Sequence, residues 1–281
     1  MDSPPRRVLA TLLVLACAAC PAAPAAGQTP AATPAPPLSS EEMSTFLLKA
    51  RIGPLRNVGS GVTDSKKATL TDGTITHDAH IQTVDVARTV FEAGKASETN
   101  FKDTYRFNIA AYRLSTLLGV RVPVSVERTV NGATAAVTWW VDDVGMDEKK
   151  RTEMKTLGPN PVRTTEQLYT MRAWDELIQN KDRNQGNILW TKDWTLWLID
   201  HTRAFRLDKT LAKPAQLTRI DRDLYARLRD LTRERVEAAV GDSLRKDELA
   251  AVMARRDALV KHFEARIAQL GEANVLFTMA R

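Results

Sequence analysis

Two hydrophobic periodicities divide this chain and limit what it can fold into. Up to about residue 140 apolar and polar residues alternate, as in "KKATLTDGTITHDAHIQTV" and "ATAAVTWWV", the period of half-buried strands. Beyond that point apolar residues recur at spacings of three and four, most plainly through Leu249, Val252, Met253, Val260, Phe263, Ile267 and Leu270, one stripe of a helix that ends at Gly271. A strand-rich half followed by a helix-rich half predicts an α+β fold of two lobes. The N-lobe is expected over residues 41–143 and the helical C-lobe over 144–281, with a cleft at the join near residues 140–150. A length of 281 residues, 43% hydrophobic and 26% charged, is enough chain to bury such a core.

Within the first lobe, Asp72 and Gly73 mark a tight hairpin turn, because that dipeptide tolerates positive φ. "NFKDTYRFNIAAYRLSTLLG" predicts a helix with Phe101, Tyr105, Asn108 and Tyr112 on one face and Gly119 as its cap. "PVSVERTV" and "ATAAVTWWV" predict two further strands. In the second lobe Thr164 and Gln167 form a capping-box pattern for a helix running to about Gln179. No internal repeat is present.

The first 27 residues differ in kind. Arg6 and Arg7 precede the short apolar run "VLATLLVLACAA", which reads as a signal peptide, being well below the roughly 20 residues of a spanning helix. "AAG" at residues 25–27 suits an ordinary signal peptidase, whereas "VLAC" ending at Cys17 reads as a bacterial lipobox that would leave a lipid-bearing cysteine. Both remain open, and the paired arginines also permit twin-arginine export. The expected destination is outside the cytoplasm: periplasmic, extracellular or lipid-anchored. Residues 28–40, rich in Pro, Ala and Thr, read as a tether. Cys17 and Cys20 both fall in the leader, so a mature chain starting near Gln28 would have no disulfide, thiol nucleophile or cysteine-ligated zinc. The net charge is +6, and removing the leader with Arg6, Arg7 and Asp2 leaves +5. Basic residues are interspersed with acids, which argues against nucleic-acid binding and is compatible with a phosphate-bearing ligand.

The chemistry concentrates in "DELIQNKDRNQGNILWTKDWTLWLIDHTRAF", residues 175–205, which hold three of the six tryptophans. Read as a hairpin about the turn "KDWT", it pairs Thr191 with Leu196, Trp190 with Trp197, and Asn187 with Asp200. Directly opposed residues place their Cβ atoms about 5 Å apart, so an amide oxygen and a carboxylate converge at the open end. Such hard oxygen ligands suit Mg, which completes its shell with phosphate and water. Asp182, five residues before Asn187, is placed to orient a hydroxyl and accept its proton. The tryptophan pair would lock the register, since a slip of one residue turns side chains to the opposite face. Upstream, Gly59, Ser60 and Gly61 in "RNVGSGVTDSKK" suit either a phosphate-covering loop or a plain turn.

"NKDRNQGNILW" followed by "LWLIDHTRAF" resembles the catalytic loop and metal-binding segment of the protein-kinase-like superfamily. The likeness is to its atypical branch of phosphatidylinositol kinases, HipA-type kinases, secreted Golgi casein kinases and spore-coat kinases. The resemblance implies a bilobal fold, ATP as co-substrate, and Mg or Mn held by Asn187 and Asp200. It makes Asp182 the catalytic residue, has Gly59, Ser60 and Gly61 cover the phosphates, and puts His201 where the family has Phe. It also implies a Lys in the third strand and a Glu on the first helix, where this chain has Gln82 and Asn108. Losing both charges together is coherent, because either one alone would be a costly buried charge. Lys66 or Lys67 would then supply the missing cation to the nucleotide. Trp139 and Trp140 suit an adenine pocket or core packing equally. Arg183 reads as a structural clamp on the loop.

Two functions follow. One is an exported phosphotransferase acting on an unidentified hydroxyl-bearing acceptor, with nucleotidyl transfer as a variant of the same chemistry. The other is a pseudokinase, a module that binds a nucleotide or another anion without turnover.

Overall fold

The computed structural model describes residue 1 and residues 38–58, 65–93 and 96–279, with residues 89–93 and 96–100 described by their backbone alone. The leader, most of the tether, and Gly59, Ser60 and Gly61 therefore lie outside the described residues. Residues 38–281 form one compact unit.

The unit opens with a helix that the sequence reading did not foresee, α1 (Ser40–Lys49), at the start of the expected N-lobe. Ser39 caps it in a reciprocal box: its hydroxyl accepts from the Glu42 N–H at 3.2 Å and its own N–H donates to Glu42 Oε2 at 2.8 Å. Strands β1 (Arg51–Ile52), β2 (Arg56–Asn57), β3 (Ser65–Thr71) and β4 (Thr76–Gln82) follow. Between β3 and β4 the Asp72 carboxylate accepts the N–H groups of Thr74 and Ile75 at 2.9 and 2.7 Å, and Gly73 takes a φ of 94°, which bears out the predicted turn.

The predicted helix begins late. Residues through Thr104 belong to a hairpin of β5 (Asp85–Ala93) and β6 (Ala96–Thr104), which pairs Arg88 with Phe101, and α2 runs only over Arg106–Leu118. Phe101 thus lies on a strand rather than on the helix face that carries Asn108. Long-range pairing wins over helical spacing here: β6 finds its partner in β5, and the Thr104 N–H donates to the Thr202 carbonyl at 2.9 Å. The C-terminal end is as expected, Gly119 capping at a φ of 73°.

Strands β7 (Ser125–Val130) and β8 (Ala133–Trp139) complete a sheet ordered β1-β3-β4-β8-β7, with β2 paired to β3. One face buries Ala68, Leu70, Ile81 and Val137 against Phe46 and Leu47 of α1. The opposite face receives α2, whose Tyr105 flank and Ile109 meet Ala136, while Phe107, Ala111 and Leu114 point into the core of the helical half.

After β9 (Val144–Asp147) and α3 (Glu148–Glu153) comes α4 (Pro161–Ile178). Its cap is Asn160, whose Oδ1 accepts from Arg163 at 3.0 Å with Pro161 at the first helical position, not the expected Thr164. Thr164 instead donates to the Leu157 carbonyl, and Gln167 reaches the next hairpin. That hairpin, β10 (Ile188–Thr191) and β11 (Leu196–Leu198), joins β9 in a three-stranded sheet. A parallel pair, β12 (Ile220–Asp221) with β13 (Leu276–Phe277), brackets α5 (Arg222–Arg229), α6 (Arg233–Val240), α7 (Lys246–Leu270) and α8 (Glu272–Val275). No described helix is long and apolar enough to cross a membrane.

Candidate functional site

The tryptophan hairpin has a register one residue away from the expected one. Ile188 pairs with Leu198, Leu189 with Trp197 and Trp190 with Leu196, so Trp190 and Trp197 are not opposed. The turn holds three residues rather than four: the Thr191 and Thr195 backbones bond at 3.0 Å, and Trp194 takes the left-handed region at a φ of 60°. Gln167 supports this turn, accepting from the Leu196 N–H at 2.8 Å and donating to the Trp194 carbonyl at 2.9 Å. Trp190 is fully buried with its indole N–H on Glu148 at 2.8 Å, and Trp194 lies 5.9 Å from it, centroid to centroid.

On that register Asn187 stands opposite Ile199, whose N–H donates to the Asn187 carbonyl at 3.1 Å. Asp200 is one residue further, and in extended backbone it would point away. Instead it adopts a φ of 52°, and both Asn187 and Asp200 line one cavity of about 340 Å³. Its roof comes from β3, β4 and β8, through Ser65, His80 and Thr138. Its floor is Leu189, Ile199 and the Asn187–Asp200 end of the hairpin, and Trp140 and Val141 close the side where the sheet hands over to the helical half.

Asp182 sits on the loop between α4 and the hairpin, its side chain 42% exposed and 3.4 Å from Arg203. The loop's shape is set locally: Asn180 Oδ1 accepts the Asp182 N–H at 3.1 Å and Asn184 Oδ1 the Gly186 N–H at 2.9 Å. Arg183 clamps it, pairing with Asp175 of α4 at 3.0 Å and donating to the carbonyls of Asn187 and Ile199 at 2.9 and 2.8 Å, as its sequence position suggested. His201, fully buried, accepts through Nε2 from Arg183 at 3.0 Å, and burial with the adjacent guanidinium holds its pKa well below the usual value. It is a neutral structural acceptor. Burial raises the Asp200 carboxyl above the usual range; bonds from Thr202 oppose this and the nearby Asp182 charge adds to it.

The residues aligned with the family's Lys and Glu do meet. Asn108 Nδ2 donates to Gln82 Oε1 at 2.9 Å with Gln82 wholly buried, and Asn108 Oδ1 accepts the His201 N–H at 2.7 Å. A neutral carboxamide pair thus links β4, α2 and the segment carrying Asp200. Asn108 lines the cavity and Gln82 lies behind it. Lys67 is held at the cavity's edge by Asp78 at 2.8 Å and by the face of Trp140 at 4.0 Å, and Lys66 donates to Asn57 at 2.6 Å. Gly59, Ser60 and Gly61 are outside the described residues, but the strands flanking them pair, and Val58 and Ser65 line the cavity. Trp139 is a packing residue that also borders the cavity. It packs on Phe46 at 5.7 Å and stacks on His77 at 3.6 Å, and its edge lines the cavity.

Sequence reasoning missed His80, which the strand alternation sets on the cavity roof and whose pKa burial pushes down to about 4. Asp103, at the end of β6 and beside Asp200, was also missed because its segment was read as helix.

The donors present fit a hard divalent cation: a carboxylate and an amide on one cavity wall, with no described lysine or arginine paired to Asp200. Among the described residues no three His, Cys, Asp or Glu side chains cluster tightly enough to cage a metal alone.

No protein-family model and no curated protein matches the chain. Solved structures do. A hydra Fam20 structure with sugar superposes with a TM-score of 0.66 at 16% identity, over 85% of this chain and 92% of that one. A Golgi casein kinase with Mn and ADP bound gives 0.63 at 14% identity, over 84% and 78%. The fold is therefore the atypical protein-kinase-like fold, a strand-rich half on a helical half.

Proposed function

We propose that the cleft is the active site of an exported phosphotransferase that moves the γ-phosphoryl group of ATP to a hydroxyl on an unidentified acceptor, protein Ser or Thr being one class of it. The observation that carries this is the convergence of Asn187 and Asp200 on one cavity, with the Asp182 carboxylate on the adjoining loop. Asn187 and Asp200 would hold Mg or Mn, which when bound neutralises the triphosphate. Asp182, solvent-facing and ordered by Asn180 and Arg183, orients the acceptor hydroxyl and takes its proton as the oxygen bonds to phosphorus and the bond to departing ADP breaks. The apolar side of the cavity, with Val141 and Leu189, suits a nucleobase, and Gly59, Ser60 and Gly61 would cover the phosphates. The leader read at residues 1–27 supports export.

The Gln82–Asn108 pair favours a second reading. Without a Lys–Glu pair, and with Lys67 engaged by Asp78, the cleft binds a nucleotide or another anion without turnover. Labelled ATP with Mg or Mn, given to the mature chain and to Asp200→Ala, separates the two. Transfer or hydrolysis confined to the unsubstituted protein is expected. Equal signal in both, or none in either, overturns catalysis, and metal-dependent thermal stabilisation by ATP would then leave the binding module.

A further inference from the structure

One buried carboxylate has no part in the mechanism above. Asp103 closes β6 just ahead of α2, is 8% exposed, and its Oδ1 has no hydrogen-bond partner. The backbone sets it against the segment that carries Asp200, through the bond from Thr104 to the Thr202 carbonyl at 2.9 Å, and the Thr202 hydroxyl donates to Asp200 at 3.1 Å. Burial raises the Asp103 carboxyl above the usual range, and the charges of Asp200 and Asp182 add to that. Arg203 is near enough to oppose the shift, and it pairs with Asp182 at 3.4 Å. Two desolvated carboxylates side by side without a bonded cation are costly, and an orphaned oxygen within such a pair calls for a ligand that supplies positive charge.

The two positions aligned with the family's Lys and Glu supply no such charge, because they carry Gln82 and Asn108, which bond to each other while Asn108 also takes the His201 N–H. We infer that Asp103 is the second carboxylate of the cleft's divalent-cation site, acting with Asp200 and the Asn187 amide. Two carboxylates and an amide are a partial shell of the kind Mg and Mn complete with phosphate and water. A shared proton is the rival way of neutralising the pair. The inference rests on the phosphotransferase reading of the cleft.

The test is titration of Mn(II) alone into the mature protein, Asp103→Asn and Asp200→Asn, followed by calorimetry and by the electron-spin signal of free Mn(II), with melting curves with and without the metal. Asp103→Asn is expected to weaken Mn(II) binding about tenfold or more and to lose the metal-induced rise in Tm. Without metal it should melt at or above the parent, since one of two like charges is gone. Unchanged Mn(II) affinity in Asp103→Asn beside a loss in Asp200→Asn overturns the role of Asp103 and leaves the site intact. A metal-free Asp103→Asn that melts below the parent makes Asp103 structural and equally overturns it. No Mn(II) binding by the parent, with or without ATP, removes the inference and the phosphotransferase reading together.

Discussion

Replacing Gln82 by Lys and Asn108 by Glu, singly and together, tests whether the cleft's charge-free link is a matched pair. Gln82 is wholly buried and Asn108 is 6% exposed, and a 2.9 Å hydrogen bond joins them. Gln82→Lys forfeits a net bond of about 1 kcal/mol and buries an ammonium against the Asn108 amide rather than a carboxylate. Asn108→Glu removes the amide that donates to Gln82 Oε1 and sets a carboxylate near Asp200. An uncompensated buried charge costs roughly 3 to 5 kcal/mol. Each single variant should therefore lose at least about 3 kcal/mol, a Tm drop of roughly 6 to 12 °C for a domain of this size. In the double variant the introduced charges face each other, and the retained carboxylate oxygen can still accept the His201 N–H. The coupling energy should be about 2 kcal/mol or more in the stabilising direction. Urea denaturation of all four proteins in metal-free buffer measures it. Additive losses, with the double variant the least stable, would refute the pairing of these positions and with it the alignment of β4 and α2.

Two further outcomes follow from the packing. His80 has a folded pKa of about 4 against 6.5 when unfolded, so between those values the unfolded chain binds more protons. Stability should fall as pH drops from 6.5 towards 4, by at most roughly 3 kcal/mol from this residue. His80→Gln should flatten that part of the curve, and an unchanged pH profile of the urea midpoint would contradict it. Gly158 has a φ of 70°, and a Cβ there would lie 2.4 Å from the Trp194 ring. Gly158→Ala should cost roughly 2 to 4 kcal/mol by adding overpacking to left-handed strain, and an intact Tm would show that the Trp194 turn yields freely.

What could be read ahead of the structure was whatever rests on local chemistry. Asp72 and Gly73 carry their turn in their own side chain and φ, Gly119 ends α2, and the Asp182-to-Asn187 loop is shaped by Asn180, Asn184 and Arg183 within a few residues. Helix α1 was legible too, since Ser39 and Glu42 spell a capping box that the proline-rich stretch before it obscured. What could not be read depended on distant partners. Nothing in "NFKDT" shows that its backbone bonds to β5 and to Thr202, yet those contacts make it a strand and set it against the segment that carries Asp200.

The hairpin shows how a wrong register can still reach the right neighbours. Strict alternation links every residue's face to its pairing, so moving the register by one should have separated Asn187 from Asp200. It did not, because the ladder stops at Ile199 and the next residue is not extended. Asp200 at a φ of 52° breaks the alternation and turns its carboxylate back to the cavity. Non-glycine residues in that region cost about 1 kcal/mol or more unless their surroundings hold them. Here the surroundings do, since the next N–H is taken by Asn108 Oδ1 and the preceding carbonyl by Arg183. The strained residue is held from the sheet side by an amide and from the helical side by a guanidinium. Arg183 and Asn108 are therefore as much a part of placing Asp200 as the hairpin itself, and a lesion at either should displace the carboxylate while leaving β10 and β11 paired.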